Sequence, residues 1–273
     1  MRAQPLAHPL SEAVAALMRE AAEMAILPRY QTLASHEITE KAADDFVTVA
    51  DHESEAILTA GLARLLPEAA VVGEEAAYAD PTILERLGDS LCWIVDPVDG
   101  TWNFSHGQPP FGIIVALAQA GETLAGWLYD PLARRLCHAH KSHGAWIDGE
   151  PVRARSTGEQ PPVAAIGLAY MDPDKRAGVE RTVVPHYRTT AIPRCAAEQY
   201  PRLVLGENDV SIFERTLPWD HAAGVLFLNE AGGKAARIDG SPYRVDDKRR
   251  GLIGAASQQL WDQLAERMAT VPS

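Results

Sequence analysis

Apolar residues recur at helical spacing over residues 10–34, through Leu10, Val14, Leu17, Met18, Ala21 and Ala25, with Pro9 or Ser11 marking the start. The same period returns over 51–66 with Ile57, Leu58, Leu62 and Leu65, and Pro67 stops it. Short apolar runs then predict strands at 69–72, 91–95, 111–119, 123–129 and 135–139, punctuated by turns at Gly121 and Pro131. Gly144 to Gly149 reads as a hairpin end. After residue 160 strands and helices alternate again. Strands are predicted at 163–168, 210–213 and 252–256. Helices are predicted from Asp172-Pro173 to about Val184, from Ala196 to Leu205 before Gly206, from Asp220 to Ala231 before Gly232-Gly233, and after a Ser257 cap. Mixed sheets covered by helices predict a layered α/β architecture. Pro151, Pro161 and Pro162 mark the best boundary, dividing an N-terminal α+β part (1–150) from a C-terminal α/β part (151–273) within one compact unit.

The 273 residues suffice for a substantial core, and a 47% hydrophobic, 23% charged composition is that of an ordinary globular chain. A net charge of −12 argues against nonspecific binding to nucleic acid or to an anionic membrane. It leaves a small phosphorylated substrate open, because bound cations reverse the local field. Cys92, Cys137 and Cys195 are too few and too scattered for a disulfide framework or a Cys-x-x-Cys metal site. With no signal-peptide pattern at the N-terminus, and no apolar run longer than Phe111 to Ala118, the chain reads as a cytoplasmic protein that does not enter the membrane.

The chemistry lies where apolar runs end in acid. Val71-Val72-Gly73 leads to Glu74, Trp93-Ile94-Val95 leads to Asp96 and Asp99, and Phe46 to Ala50 leads to Asp51. Asp220 opens an apolar helix. Taken singly, each acid is a turn or cap residue. Strand ends from one sheet converge on one edge, so together they predict a shared cation site of hard oxygen ligands. In Asp96-Pro97-Val98-Asp99-Gly100-Thr101 the Gly-Thr pair adds backbone N–H groups for an anion. A calcium loop of the EF-hand type fails here, because Pro97 holds the second position and Gly107 the twelfth. No Cys-x5-Arg loop is present, and Cys195 reads as a small core residue. His138 and His140 share one face of a strand, but no further zinc ligand stands at suitable spacing, so magnesium fits the acids better.

These motifs, with Asn103-Phe104, Trp219-Asp220 and Glu230-Ala231-Gly232-Gly233, resemble the inositol monophosphatase family of metal-dependent, lithium-sensitive phosphatases, in order and from about Glu12 to the last helix. Gly144 to Gly149 also matches the family's turn, with Asp148 in place of Asn. The resemblance implies a five-layer α/β/α/β/α sandwich, a homodimer, and Mg²⁺-dependent hydrolysis with two or three Mg²⁺ per site. It implies metal ligands at Glu74, Asp96, the Val98 carbonyl, Asp99 and Asp220. Glu74 and Thr101 would activate the attacking water, with Asp51 steering Thr101 and joining a further metal through water. The substrate would meet Asp99, Gly100, Thr101, Trp102, Arg194, Ala196, Glu214 and Asp220. Its expected identity is inositol monophosphate or a related sugar or polyol phosphate. The alternatives are histidinol phosphate, fructose 1,6-bisphosphate, a 3′-nucleotide, or a regulatory family member that binds metal without turnover.

Two positions depart from the family. Arg194 stands where a glycine is usual, either to bind a second anionic group, to pair with Glu198 or to face solvent. Glu214 lies about one residue too close to Asp220.

Overall fold

The computed structural model describes residues 8–42 and 45–271. In chain order the helices are α1 (Ser11–Ala21), α2 (Val49–Leu65), α3 (Glu74–Ala79), α4 (Arg86–Asp89), α5 (Thr101–Ser105), α6 (Pro173–Thr182), α7 (Ala196–Leu205), α8 (Pro218–Glu230) and α9 (Gln258–Met268). The strands are β1 (Ile38–Ala42), β2 (Asp45–Thr48), β3 (Ala70–Gly73), β4 (Cys92–Asp99), β5 (Gly112–Gln119), β6 (Glu122–Asp130), β7 (Arg135–His140), β8 (Gly144–Ile147), β9 (Glu150–Val152), β10 (Val163–Ile166), β11 (Arg188–Thr190), β12 (Val210–Phe213), β13 (Lys234–Ala236) and β14 (Leu252–Ala255).

Strands β3 to β9 form one sheet in sequence order, parallel only between β3 and β4. The second sheet runs β11-β10-β12-β14-β13. Period-two alternation sends neighbouring side chains of the first sheet into different cores. On β4, Trp93 and Val95 join α1 and α2, whereas Cys92 and Ile94 face α7 and α8. On β5, Ile113 and Val115 take the first side and Ile114 and Ala116 the second. The second sheet covers the far side of α7 and α8 through Ala235 and Leu252, and turns Ile253 and Ala255 toward α6 and α9. The layers are therefore α/β/α/β/α, as the resemblance implies.

Helix α8 is apolar all round because it lies between two sheets, with Ala222, Ala223, Phe227 and Leu228 fully buried. Gly126 lets it approach closely: a Cβ there would stand 2.6 Å from the Ala223 Cα. Gly206, at φ 73°, closes α7 where the helix pattern stops, and the Ser257 hydroxyl accepts the Leu260 N–H at the start of α9.

Two differences bear on the site. The strand expected to stop at Val95 continues through Asp99, with its register broken between Asp96 and Asp99. Asp51 does not follow a strand directly. It is the third residue of α2, where it accepts the Thr48 N–H in a capping box. Strands β11 and β13 escape the hydrophobic pattern: each has only three residues, and every residue of β11 is exposed.

Candidate active site

The end of β4 and the first turns of α3, α5, α7 and α8 open onto one cleft of about 490 Å³. Glu74 is the first residue of α3. Its position depends on Gly73, where a Cβ would lie 2.4 Å from the Glu55 carboxylate. That carboxylate, reaching over from α2, accepts the Glu75 and Ala76 N–H groups at 2.9 Å each. Asp96 accepts the Val98 N–H at 3.1 Å. Asp99 accepts the Ala197 N–H at 2.6 Å and the Cys195 S–H at 3.0 Å, so the start of α7 orients it. Asp220 is the third residue of α8.

Glu74, Asp96, Asp99 and Asp220 all line the cleft. Burial pushes Glu74 and Asp96 well above the usual carboxylate range, and their neighbours' charges push the same way: Asp220 on Glu74, and Glu74, Asp99 and Asp220 on Asp96. Burial also raises Asp99, against the pull of its hydrogen bonds and of Arg215. The donor set is hard oxygen throughout and carries surplus negative charge, which fits Mg²⁺ rather than a softer ion. Among the described residues no three carboxylate, thiol or imidazole groups form a metal cage by themselves. The Val98 carbonyl, water and phosphate oxygens would have to complete the coordination.

Gly100 caps α5 at φ 85°, a left-handed conformation that glycine adopts without strain. Thr101 follows. Its Oγ lies 2.8 Å from the Val98 carbonyl and 3.2 Å from an Asp51 carboxylate oxygen. Asp51 lies behind Thr101 and does not line the cleft. Burial pushes it up to about 7, while its hydrogen bonds to Thr48 and Thr101 pull the other way.

The lining also includes Trp102, Tyr170, Ile192, Arg194, Glu214 and Arg215, with Ala196 at the start of α7. The Arg194 guanidinium lies 4.2 Å from the centre of the Trp102 ring, and Arg215 lies 4.8 Å from that of Tyr170. Glu198 does not take Arg194; it binds Arg135 and Arg202. Arg194 sits at φ 56°. That is why glycine is the easier residue there, since a Cβ in this region costs about 1 kcal/mol. Cys195 is buried, as expected of a core residue, yet it also lines the cleft and binds Asp99.

Several participants carried no motif. Lys41 on β1 binds Glu75 at 2.9 Å and Glu74 at 3.5 Å. Lys175 binds Glu214 at 2.7 Å. A lone lysine in Glu40-Lys41-Ala42, or one on a polar helix, offers no periodicity to detect. His138 and His140 are remote from the cleft: His138 stacks on Trp146 and His140 on His143.

The model of the inositol monophosphatase family matches residues 7–272. The chain is 32% identical over 239 residues to an inositol-1-monophosphatase of Caulobacter vibrioides, covering 85% of this chain and 90% of the relative. It is 31% identical over 228 residues to a fructose-1,6-bisphosphatase/inositol-1-monophosphatase of Thermotoga maritima, covering 82% and 85%. The crystal structure of the extragenic suppressor protein SuhB from Bartonella henselae superimposes with a TM-score of 0.80 at 25% identity, covering 96% of this chain and 98% of that one.

Proposed function

Because the chain belongs to the inositol monophosphatase family and is a phosphatase of that family, we propose that it hydrolyses a small phosphate monoester with Mg²⁺, by in-line attack of water on phosphorus. The observation that carries this reading is the quartet Glu74, Asp96, Asp99 and Asp220 lining one cleft, Asp96 and Asp99 buried and the other two half-buried, with Thr101 and Asp51 directly beside it.

Glu74, Asp96, the Val98 carbonyl, Asp99 and Asp220 would hold the metal. Bound Mg²⁺ supplies charge neutralisation for the phosphate dianion and acidifies coordinated water. The chain's own groups do the rest. The first turn of α5 presents the Gly100 and Thr101 N–H groups to the phosphate. Thr101 gives its single hydroxyl proton to Asp51 or to the Val98 carbonyl, which leaves its oxygen lone pairs to accept a hydrogen bond from the attacking water. Glu74, at the same edge, accepts the water's proton. The Lys41 ammonium lies 3.5 Å from Glu74 and favours its charged form, against the acids that crowd it. The names of the relatives support inositol monophosphate as the first substrate to test and a sugar bisphosphate as the second. A homodimer is part of the same reading.

The test is phosphate release from inositol 1-phosphate and a panel of sugar, histidinol and nucleotide esters, with excess Mg²⁺ and with EDTA. Mg²⁺-dependent release that Asp220→Asn abolishes is expected. Metal binding with no release from any ester would overturn the catalytic reading in favour of a regulatory member.

A further inference from the structure

Asn103 and Phe104 follow the Gly100-Thr101 turn, yet neither lines the cleft. Phe104 is fully buried and seats α5 in the first core, with its ring 5.1 Å from that of Phe111 and 6.2 Å from that of Tyr30. Asn103 is 5% exposed. Its side-chain amide donates to the Pro110 carbonyl at 2.7 Å and to the Pro193 carbonyl, 90 residues along the chain, at 2.8 Å. An asparagine amide has two N–H donors, and both go to these carbonyls; an aspartate or leucine in its place would supply neither. The Pro193 bond falls just before the chain turns. Arg194 is left-handed at φ 56°, Cys195 caps α7, and the Asp99 carboxylate accepts the Cys195 S–H and the Ala197 N–H. Residues 99–103 and 193–197 are thus tied twice, at Asp99 and at Asn103. Their fit is close: a Cβ on Gly100 would stand 3.0 Å from the Pro110 oxygen, 3.2 Å from the Cys195 Cβ and 3.3 Å from the Arg194 oxygen.

We propose that Asn103 is a positioning residue for Asp99: its grip on the Pro193 carbonyl fixes residues 193–197, and that segment aims the Asp99 carboxylate into the metal site. This deepens the hydrolytic reading, on which the ligand role of Asp99 rests. Without the Asn103 donors the Pro193 carbonyl loses a partner in buried surroundings, which is costly. The left-handed turn at Arg194 also loses a bond that offsets its backbone cost. The segment then opens more readily, and Asp99 loses the two donors that orient it. Partners that orient a ligand in this way are typically worth about ten- to a hundredfold in metal affinity. Asn103 acts one step further out, so the lower end of that range is expected.

Cysteine labelling tests the geometry without metal or turnover. In EDTA, iodoacetamide alkylation followed peptide by peptide should modify Cys195 about tenfold faster in Asn103→Leu than in the parent, because the segment opens more often. Cys92 and Cys137, 0% and 1% exposed on β4 and β7, are internal controls and should keep their rates. Asn103→Ser, with one shorter donor, should fall between, and it supplies the comparison if Asn103→Leu does not fold. Titration calorimetry with Mg²⁺ alone should then show binding about tenfold weaker in the variant. Faster labelling confined to Cys195, together with weaker Mg²⁺ binding, supports the proposal. A rise shared by all three cysteines is general loosening and overturns it. Unchanged labelling of Cys195, or Mg²⁺ affinity equal to the parent's, overturns it as well. Failure of the hydrolytic reading looks different: the parent releases no phosphate from any ester, while Cys195 labelling and Mg²⁺ binding still depend on Asn103.

Discussion

At one end of the cleft Glu74, Asp96, Asp99 and Asp220 crowd negative charge into buried space. Elsewhere in its lining stand Arg194 and Arg215, and Glu214, which Lys175 and Arg250 pair. The acid end is built from main chain: a strand end, its register break and the first turns of helices, all rooted between packed layers. The cationic end is built from side chains at the rim, two of them steadied on rings that are themselves partly open to solvent. Moving an acid therefore means moving a core, whereas moving an arginine means changing one side chain. Under the proposed function, the bond-breaking groups are the ones the fold holds rigidly, and the groups assigned to the leaving alcohol are ones that substitution can alter without disturbing the fold.

The comparison breaks most sharply at Asp96. Asp96→Asn is expected to cut kcat/KM by at least about a thousandfold for every ester, since it removes a proposed metal ligand worth several kcal/mol. In metal-free protein the same variant should melt higher than the parent, because a buried like charge is gone. A lower melting temperature in EDTA would show that the quartet is not repulsive. Thr101→Val should lower kcat about a hundredfold with little change in KM. A large KM effect alone would move Thr101 to the binding side of the comparison.

Asp51 sharpens it through pH. Its carboxyl titrates at 3.8 when unperturbed and at about 7 in the fold. Between these values the unfolded chain has lost a proton that the folded chain keeps, so this group's contribution to stability falls as pH rises from about 4 to about 7. Buried His221, lowered to about 4, acts in the opposite sense, its contribution being lost as pH falls below 6.5. The useful quantity is thus the difference between Asp51→Asn and the parent, both free of metal. The variant's advantage should grow by up to about 1.4 kcal/mol per pH unit over that range and then level off. A difference independent of pH would refute the shift. The smallest effect belongs to the contact between α7 and α8, where the Tyr200 hydroxyl lies 2.7 Å from His221 Nδ1. Tyr200→Phe should cost about 1 kcal/mol, or about 2–4 °C in Tm, with the selectivity between esters unchanged.

Much of this was legible in the residues themselves. Period 3.6 and period 2 located most helices and sheet strands to within a few positions, but the helix expected over 10–34 is α-helical only to Ala21 and ends in π and 3-10 turns at Arg29. Gly206 and Ser257 marked ends that the fold uses. Acid at strand ends announced Glu74, Asp96 and Asp99, because a strand end is where a polar side chain can leave a core. Lys41, Lys175, Arg215 and Tyr170 were silent, since a single exposed or half-buried residue on a polar segment alters no periodicity.

By itself the sequence determined the alternation that assigns Trp93 and Ile94 to different cores, the caps and breakers that bound the helices, and the order of the acidic motifs. These are local properties, written in side-chain volume, polarity and backbone preference within a few neighbours. Only the tertiary structure decided that Asp51 sits behind Thr101, that Asp99 is oriented by the start of a helix almost a hundred residues away, and that Arg194 lies over Trp102 rather than beside Glu198. Such contacts depend on how layers stack, and layer stacking is set by the summed burial of whole faces, which no short stretch of chain contains.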